Sequence, residues 1–519
     1  MLVEMWSLLN KDYAFYLNLL IEHLEITIIA IVIASLVGIS LGIFINEKTR
    51  FAGPTLGSIN FLYTIPAISM LGFLITVSGV GNITAIIALT IYALLPMVRN
   101  TYTGLNNVDR NLIEAAEGMG GTKLQVFYKI KYPLALPYII TGIRSMVVMT
   151  VSLAGIASFI GAGGLGVAIY RGITTNNTAM TINGSLIIAI LALLMDAVLG
   201  MVERKIKVRN KVKQTSTEKA LDFLTVALAS ILIMAVIGGI STSFFASSNK
   251  KTINIATKPM TEQYVLGNML KMLIEKDTDY KVELTQGVGG GTSNIEPALE
   301  KGEFDLYPEY TGTGWNMVLK KGGLYTEDKF KELEKGYQKK GLTWTTMIGF
   351  NNTYGIAVRR EFAEQYGLKT YSDLRKISKQ LIFGGEYDFF ARADGFDAFC
   401  DLYNLKFKRT MDMDIGLKYK AIKQKNIDVM NIFTTDGQLA NANVVVLKDD
   451  LNLYPSYRSG IVARKDVLAE NPQLKELIGK LNNSITDSEM VKMNYRFEVL
   501  KEDPKEVAKD FLQSKRLLN

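Results

Sequence analysis

The chain has 519 residues, enough for two or three domains, and 48% of them are hydrophobic. Its single cysteine, Cys400, excludes a disulfide framework; beside Phe396 and Phe399 it reads as a small buried hydrophobe. The net charge of +8 gathers beside apolar stretches, which suits anionic headgroups and membrane topology and argues against nucleic acid as a partner.

In chain order, the first 23 residues carry acids and no basic run leading into an apolar core, so a cleaved signal peptide is not expected. Apolar stretches then run at about 24–45, 56–77, 83–98, 134–160, 182–202 and 221–245. A helical span needs about 20 apolar residues, so six spans are predicted, the third being the shortest. Lys and Arg favour cytoplasmic loops. Lys48 and Arg50, then Arg110, Lys123, Lys129 and Lys131, then the basic 204–219 stretch all fall inside if the N-terminus is outside. Everything after 245 is then extracellular, and the protein is a multi-pass component of the cell membrane.

The spans contain small and helix-breaking residues: Gly38 and Gly42, Pro66, Pro96, and the run from Gly161 to Gly166. Close helix packing accounts for each alone. The hydroxyl pair flanking a break in Tyr63-Thr64-Ile65-Pro66 reads more like a pathway. No run of acids or histidines supports a proton relay, and the sole histidine, His23, is placed at an outer span edge.

Between the third and fourth stretches lies a polar segment, Glu114-Ala115-Ala116, then Gly120, then Ile130 and Pro133. Helix formers followed by Gly and a later Pro predict a short helix, a turn and a second short helix along the membrane face. The pattern resembles the cytoplasmic coupling loop of ABC importer permeases: E-A-A, three residues, G, nine residues, I-x-L-P. Every interval matches, with Tyr132 in place of Leu. The resemblance implies that residues 109–133 dock on a separate ATPase subunit. No G-x-x-x-x-G-K-[ST] occurs in the sequence, so ATP would be used by that partner, with no cofactor bound by this chain.

After a polar linker at 247–251, strands are predicted at 252–256 and 282–284 with a helix at 261–276 between them. Strands and helices continue to alternate, as at 381–384, 416–425 and 444–447. This is the pattern of open α/β sheets, and about 270 residues suggests two lobes around a cleft. The domains are read as 1–210, a permease with five core spans and the coupling loop; 211–250, the sixth span and linker; and 251–519, a binding domain. Its outer lobe is placed at about 251–356 and 458–519, its inner lobe at about 357–457.

Aromatic residues in this half stand in Gly/Thr-rich contexts rather than on packed faces. They occur in Tyr307–Trp315, in Phe350–Gly355, at Tyr419 and at Phe433. Each alone suits a core; four together suit a cage for a quaternary ammonium, which offers no hydrogen bonds and is held by ring faces at about 0.5–2 kcal/mol per contact. The stretches Thr261-Glu262-Gln263, Gly289–Ser293, Asp305–Thr313, Asn352-Thr353-Tyr354 and Thr434–Gly437 resemble binding domains of glycine betaine, choline and carnitine importers. That family is periplasmic-binding-protein-like. It implies a cage of Tyr310, Tyr354, Tyr419 and Phe433, with Gln263 beside it and Thr292 and Ser293 at the ligand's polar end.

Tyr387–Phe390, Arg392, Asp394-Gly395 and Met430–Leu439 are similar to the ergothioneine branch of that family. Ergothioneine carries a trimethylammonium, a carboxylate and an imidazole thione. Arg392 is the candidate for the carboxylate, and Glu386, Asp388 or Asp436 for the ring nitrogens. Glycine betaine, choline or carnitine as an osmoprotectant is the alternative substrate. The resemblance implies a homodimer of this chain with two ATPase subunits and no enzymatic activity of its own. The rival from another class, a transmembrane ligand sensor, leaves the coupling loop unexplained.

Overall fold

The computed structural model describes residues 2–174, 177–207, 251–392, 394–454 and 456–518. The expected sixth span, the linker before residue 251 and most of the 204–219 stretch lie outside the described residues. The described chain forms two compact units, one helical and one mainly from residue 251 onward.

The helical unit runs α1 (Leu2–Lys11), α2 (Tyr13–Glu47), α3 (Ala52–Thr64), α4 (Ala67–Ser78), α5 (Asn82–Asn106), α6 (Arg110–Gly118), α7 (Lys123–Val126), α8 (Tyr132–Ala157), α9 (Gly166–Thr174) and α10 (Thr178–Lys207). Among the described residues, four helical stretches are long and apolar enough to cross a membrane: Tyr13–Glu47, Asn82–Asn106, Lys123–Ile160 and Thr178–Arg204. The pair Thr49–Thr64 and Ala67–Ser78, bent by 100°, has the same apolar character and is either a broken fifth span or a re-entrant loop. The break expected at residues 63–66 within the second apolar stretch is present. The cause is local: Pro66 removes a backbone donor and holds Ile65 extended, at φ −66° and ψ 129°. The Ile65 carbonyl at the break accepts a hydrogen bond from the Tyr92 hydroxyl.

Small residues set how closely the helices pack. A Cβ on Gly38 would lie 2.7 Å from the Met97 side chain, and one on Gly42 2.5 Å from Thr101, so α2 and α5 approach along two consecutive turns. Arg144 of α8 reaches α10, bonding Asp196 at 2.8 and 3.0 Å and Glu203 at 2.5 Å. Hydropathy alone does not reveal this ion cluster within apolar helices. His23 is buried in α2, with Nε2 3.0 Å from the Val151 carbonyl.

The polar segment forms the expected helix, turn and helix. Asp109 caps α6 by accepting from the Asn111 N–H, and a reciprocal Thr122–Gln125 capping box opens α7. Gly120 in the turn has φ +88°, a conformation that a side chain would strain.

The second unit contains two five-stranded sheets. The first has the order β2-β1-β3-β10-β4 and the second β7-β6-β8-β5-β9. Their strands are β1 Thr252–Ala256, β2 Lys281–Thr285, β3 Leu306–Tyr310, β4 Leu342–Asn351, β5 Tyr354–Arg359, β6 Ile382–Gly385, β7 Arg409–Asp412, β8 Val429–Phe433, β9 Val444–Val446 and β10 Arg458–Arg464. β1 pairs in parallel with β2 and β3, while β10 runs antiparallel between β3 and β4. The chain enters the second sheet across Asn352-Thr353 and returns before Arg458. The stretch expected as a Gly/Thr-rich turn, Tyr307–Trp315, is instead the buried strand β3 followed by helical turns, because β1 and β10 flank it in the sheet. Cys400 is half-buried, and burial pushes its thiol up to about 12, out of reactive range.

Glu296, on the helix Thr292–Lys301, is buried and accepts from the Tyr307 hydroxyl at 2.6 Å. Burial lifts its carboxyl from 4.5 to about 7. The folded form holds a proton that the unfolded form has lost between those values, so this contribution, complete below 4.5, disappears as pH rises through about 7. Glu296→Gln should flatten the fall in melting temperature between about pH 5 and 8, read by tryptophan fluorescence of the detergent-solubilised chain. An unchanged slope would show that Glu296 does not titrate there.

Candidate functional site

The ends of three strands and one loop bring four aromatic rings to a single cavity. Tyr310 closes β3, whose every residue is buried. Tyr354 opens β5 and lies opposite Phe433, the last residue of β8, in the antiparallel register. Their ring centroids are 5.1 Å apart. Tyr457 directly precedes β10, with its ring 6.1 Å from that of Tyr354. These four rings line one cavity with Lys258, Thr292, Asn352, Asp388 and Arg392 on its polar wall.

The cations of that wall are paired. Arg392 is bidentate to Asp394, with Nε and Nη2 each 2.7 Å from a carboxylate oxygen. The Tyr457 hydroxyl and the Asn316 amide donate to the same Asp394, at 2.7 Å for the amide. The Arg392 guanidinium lies 5.7 Å from the Tyr354 ring centre and 5.8 Å from that of Tyr457. Its Nη1, which is not spent on Asp394, donates to the Met317 thioether at 2.9 Å, a weak acceptor that an anion on the cavity side would displace. Lys258 is buried against Glu309 and stands 4.9 Å over the Tyr310 ring. Burial pulls the Lys258 ammonium down, and Glu309 opposes that pull. Asp388 is exposed on the cavity wall; its pKa is raised, by desolvation first, with Arg392 acting against it.

Behind Tyr310 its hydroxyl donates to Glu262 and accepts from Gln263 Nε2 at 3.0 Å. Gln263 thus supports a ring and does not line the cavity. Thr292 lines it and donates to Glu309 at 2.8 Å, whereas Ser293 is exposed and off the wall. Tyr419 also lies apart from the four rings. Its hydroxyl donates to Asp436 at 2.7 Å, and both line a neighbouring pocket behind Phe433. Asp436 further accepts the Phe433 N–H at 3.0 Å, fixing the end of β8, and Lys418 lies 3.7 Å away. Of the carboxylates considered for ring nitrogens, Glu386 is engaged by Lys418 and Asn431, Asp436 by Tyr419, and Asp388 alone reaches the cavity.

The sequence reading missed Lys258 and Tyr457. Tyr454 and Tyr457, two tyrosines in a loop just before a strand, were the available signal. A wall of ring faces with one carboxylate and one half-spent guanidinium can hold a zwitterion whose cation donates no hydrogen bonds.

Residues 251–514 match the family described as the substrate binding domain of the ABC-type glycine betaine transport system. Residues 18–208 match the binding-protein-dependent transport system inner membrane component. The chain is thus a membrane subunit of an ABC importer, a permease fused to its own substrate-binding domain, and it belongs to the glycine betaine family of these importers. Neither part is a catalytic family, and an ABC permease component works with an ATPase partner. It is 39% identical over 477 residues to the ergothioneine transport permease/ergothioneine binding protein EgtU of Helicobacter pylori (strain G27), covering 92% of this chain and 86% of that protein. The carnitine transport binding protein OpuCC of Listeria monocytogenes serotype 1/2a (strain 10403S) is 35% identical over 297 residues, 56% of this chain and 96% of its own. The carnitine transport permease protein OpuCD of the same strain is 42% identical over 194 residues, 37% of this chain and 87% of its own.

The ring geometry yields a direct test with tetramethylammonium as the bare cation. Tyr457→Ala should weaken its binding to the full chain by about 2- to 30-fold, the range of one cation–π contact. Tyr419→Ala should have the smaller effect in the same titration; the reverse order would place the cage on the other side of Phe433.

Proposed function

We propose that this subunit captures a betaine-type zwitterion, ergothioneine foremost, between the lobes built on its two sheets and passes it through a dimeric permease. The observation that carries the reading is the set of four rings, Tyr310, Tyr354, Phe433 and Tyr457, around one cavity whose polar wall holds Asp388 and Arg392. The trimethylammonium takes the ring faces, the ligand carboxylate takes the Nη1 edge of Arg392, and Asp388 accepts from an imidazole N–H. Similarity to EgtU along most of both chains supports ergothioneine. Similarity to OpuCC favours carnitine, glycine betaine or choline as the second reading.

The binding domain faces outward and residues 109–133 face the cytosol, where they meet a separate ATPase. Glu114, Ala115 and Gly120 are exposed there, Ala116 is buried, and Pro133 opens α8. Leu112, Met119, Leu124 and Tyr128 are exposed apolar side chains on the same short segment, and Ile130 is half-buried beside them. That segment offers a contact surface that water does not favour. Two copies of the chain complete the pathway, ATP is used by the partner, and this chain binds no cofactor. Fusion keeps the receptor at high effective concentration beside the pore without new contacts.

Calorimetric titration of the full chain in detergent against ergothioneine, glycine betaine, choline and carnitine should rank ergothioneine first. Asp388→Asn should cost it about tenfold, the worth of a hydrogen bond to a charged group, and leave choline little changed. Choline or carnitine binding far more tightly than ergothioneine would overturn the substrate assignment. In proteoliposomes with the ATPase, replacing Glu114 and Gly120 together should abolish ATP-dependent uptake with ligand affinity intact. Unchanged uptake would remove the coupling role of that loop.

A further inference from the structure

Glu262 lies in the first turn of the helix Thr261–Asp277 and is almost wholly buried, at 2% exposure, yet no cation among the described residues bonds it. Its carboxylate is held by four neutral donors from four parts of the domain. One oxygen accepts from the Tyr310 hydroxyl and from Asn352 Nδ2 at 2.5 Å. The other accepts from Thr435 Oγ1 at 2.6 Å and Asn494 Nδ2 at 3.3 Å. Tyr310 ends a strand of the first sheet, Asn352 lies on the crossover between sheets, and Thr435 follows Phe433 by two residues at the end of β8. Asn494 also donates to the Thr435 carbonyl at 2.8 Å.

A buried carboxylate without a counter-ion keeps its charge only while its donors stay in place. Burial raises its pKa, and the bonds from Thr435, Tyr310, Asn352 and Asn494 act in the opposite direction. Glu262 itself is not on the wall of the ring cavity. Its partners are a ring of that cavity on one sheet, the crossover, and the segment that carries a facing ring on the other sheet. Moving the sheets apart would break the Thr435 bond and strand the charge.

We propose that Glu262 is a positioning residue for ligand capture, a latch that ties the two sheets and fixes the Tyr310 ring against the Phe433 ring. The latch rests on the betaine-binding reading above. Its signature is retention: a loosened latch lets ligand leave faster while entry is little altered.

The test is stopped-flow binding of ergothioneine and of choline to the full chain in detergent. Glu262→Gln should raise the dissociation rate about tenfold or more, since it converts an acceptor of four donors into a half-donor. Thr435→Val should raise it severalfold, Thr435→Ser should restore it, and Thr435→Val should add nothing in the Glu262→Gln background. If Glu262→Gln does not fold, the Thr435 pair carries the same prediction. Wild-type dissociation rates in Glu262→Gln, or in Thr435→Val, would overturn the latch and leave the ligand reading standing. Additive effects of the two substitutions would also overturn it, because independent contributions exclude a shared carboxylate. If the wild-type chain bound none of the four betaine-type ligands, the ligand reading and the latch would fall together.

Discussion

A charge withdrawn from water costs several kcal/mol unless the protein returns its partners, and the binding cleft contains several such charges within a few residues of one another. Arg392 is held by Asp394, Lys258 by Glu309, and Lys418 by Glu386 with Asp436 beyond it. In each case the pair also fixes a ring: Tyr457 donates to Asp394, Lys258 stands over Tyr310, and Lys418 stands 5.0 Å over Phe433. Ring positions in the cavity are therefore tied to charge pairs on its wall and behind it. The rings can then present an apolar, electron-rich face to a solute while the domain's own cations stay neutralised.

The helical unit meets a related constraint with different means. Backbone groups freed by a proline inside apolar helices need partners from the protein. Tyr92 supplies one for the Ile65 carbonyl, and the Pro66 break turns the chain by 100° between two short helices. Arg144, Asp196 and Glu203 likewise satisfy each other across α8 and α10. The segment 109–133 differs because its apolar side chains are left uncovered on a surface made of capped, well-formed short helices.

Local features were legible in the sequence because they depend on neighbours in the chain. The helix, turn and helix around Gly120, the strand at Thr252–Ala256 and the helix at Thr261–Asp277 follow from spacing, capping and periodicity. Tyr310, Tyr354 and Phe433 were found because their surrounding residues carry a family pattern. Features set by distant pairing were not legible. Tyr457 and Tyr419 stand on different sides of Phe433 because the β5–β8 register and the approach to β10 decide which rings meet, and those pairs are far apart in sequence. Ser293 lies beside Thr292 in the chain, but the first turn of its helix turns it outward. Pro66 marked the break in the second apolar stretch, but its 100° angle was not legible because composition is blind to how far a chain bends.

The order of strands in the first sheet carries one more consequence. β10, made of residues 458–464, sits between β3 and β4, whose residues precede it by more than a hundred positions. All strands of the second sheet are synthesised before β10. A chain emerging N-terminus first can therefore close the second sheet while β3 and β4 still lack the strand that joins them. Assembly of the first sheet waits for nearly the whole chain, the slow, non-local pairing that a high contact order imposes. In the meantime the unpaired edges of β3 and β4 are exposed to other chains.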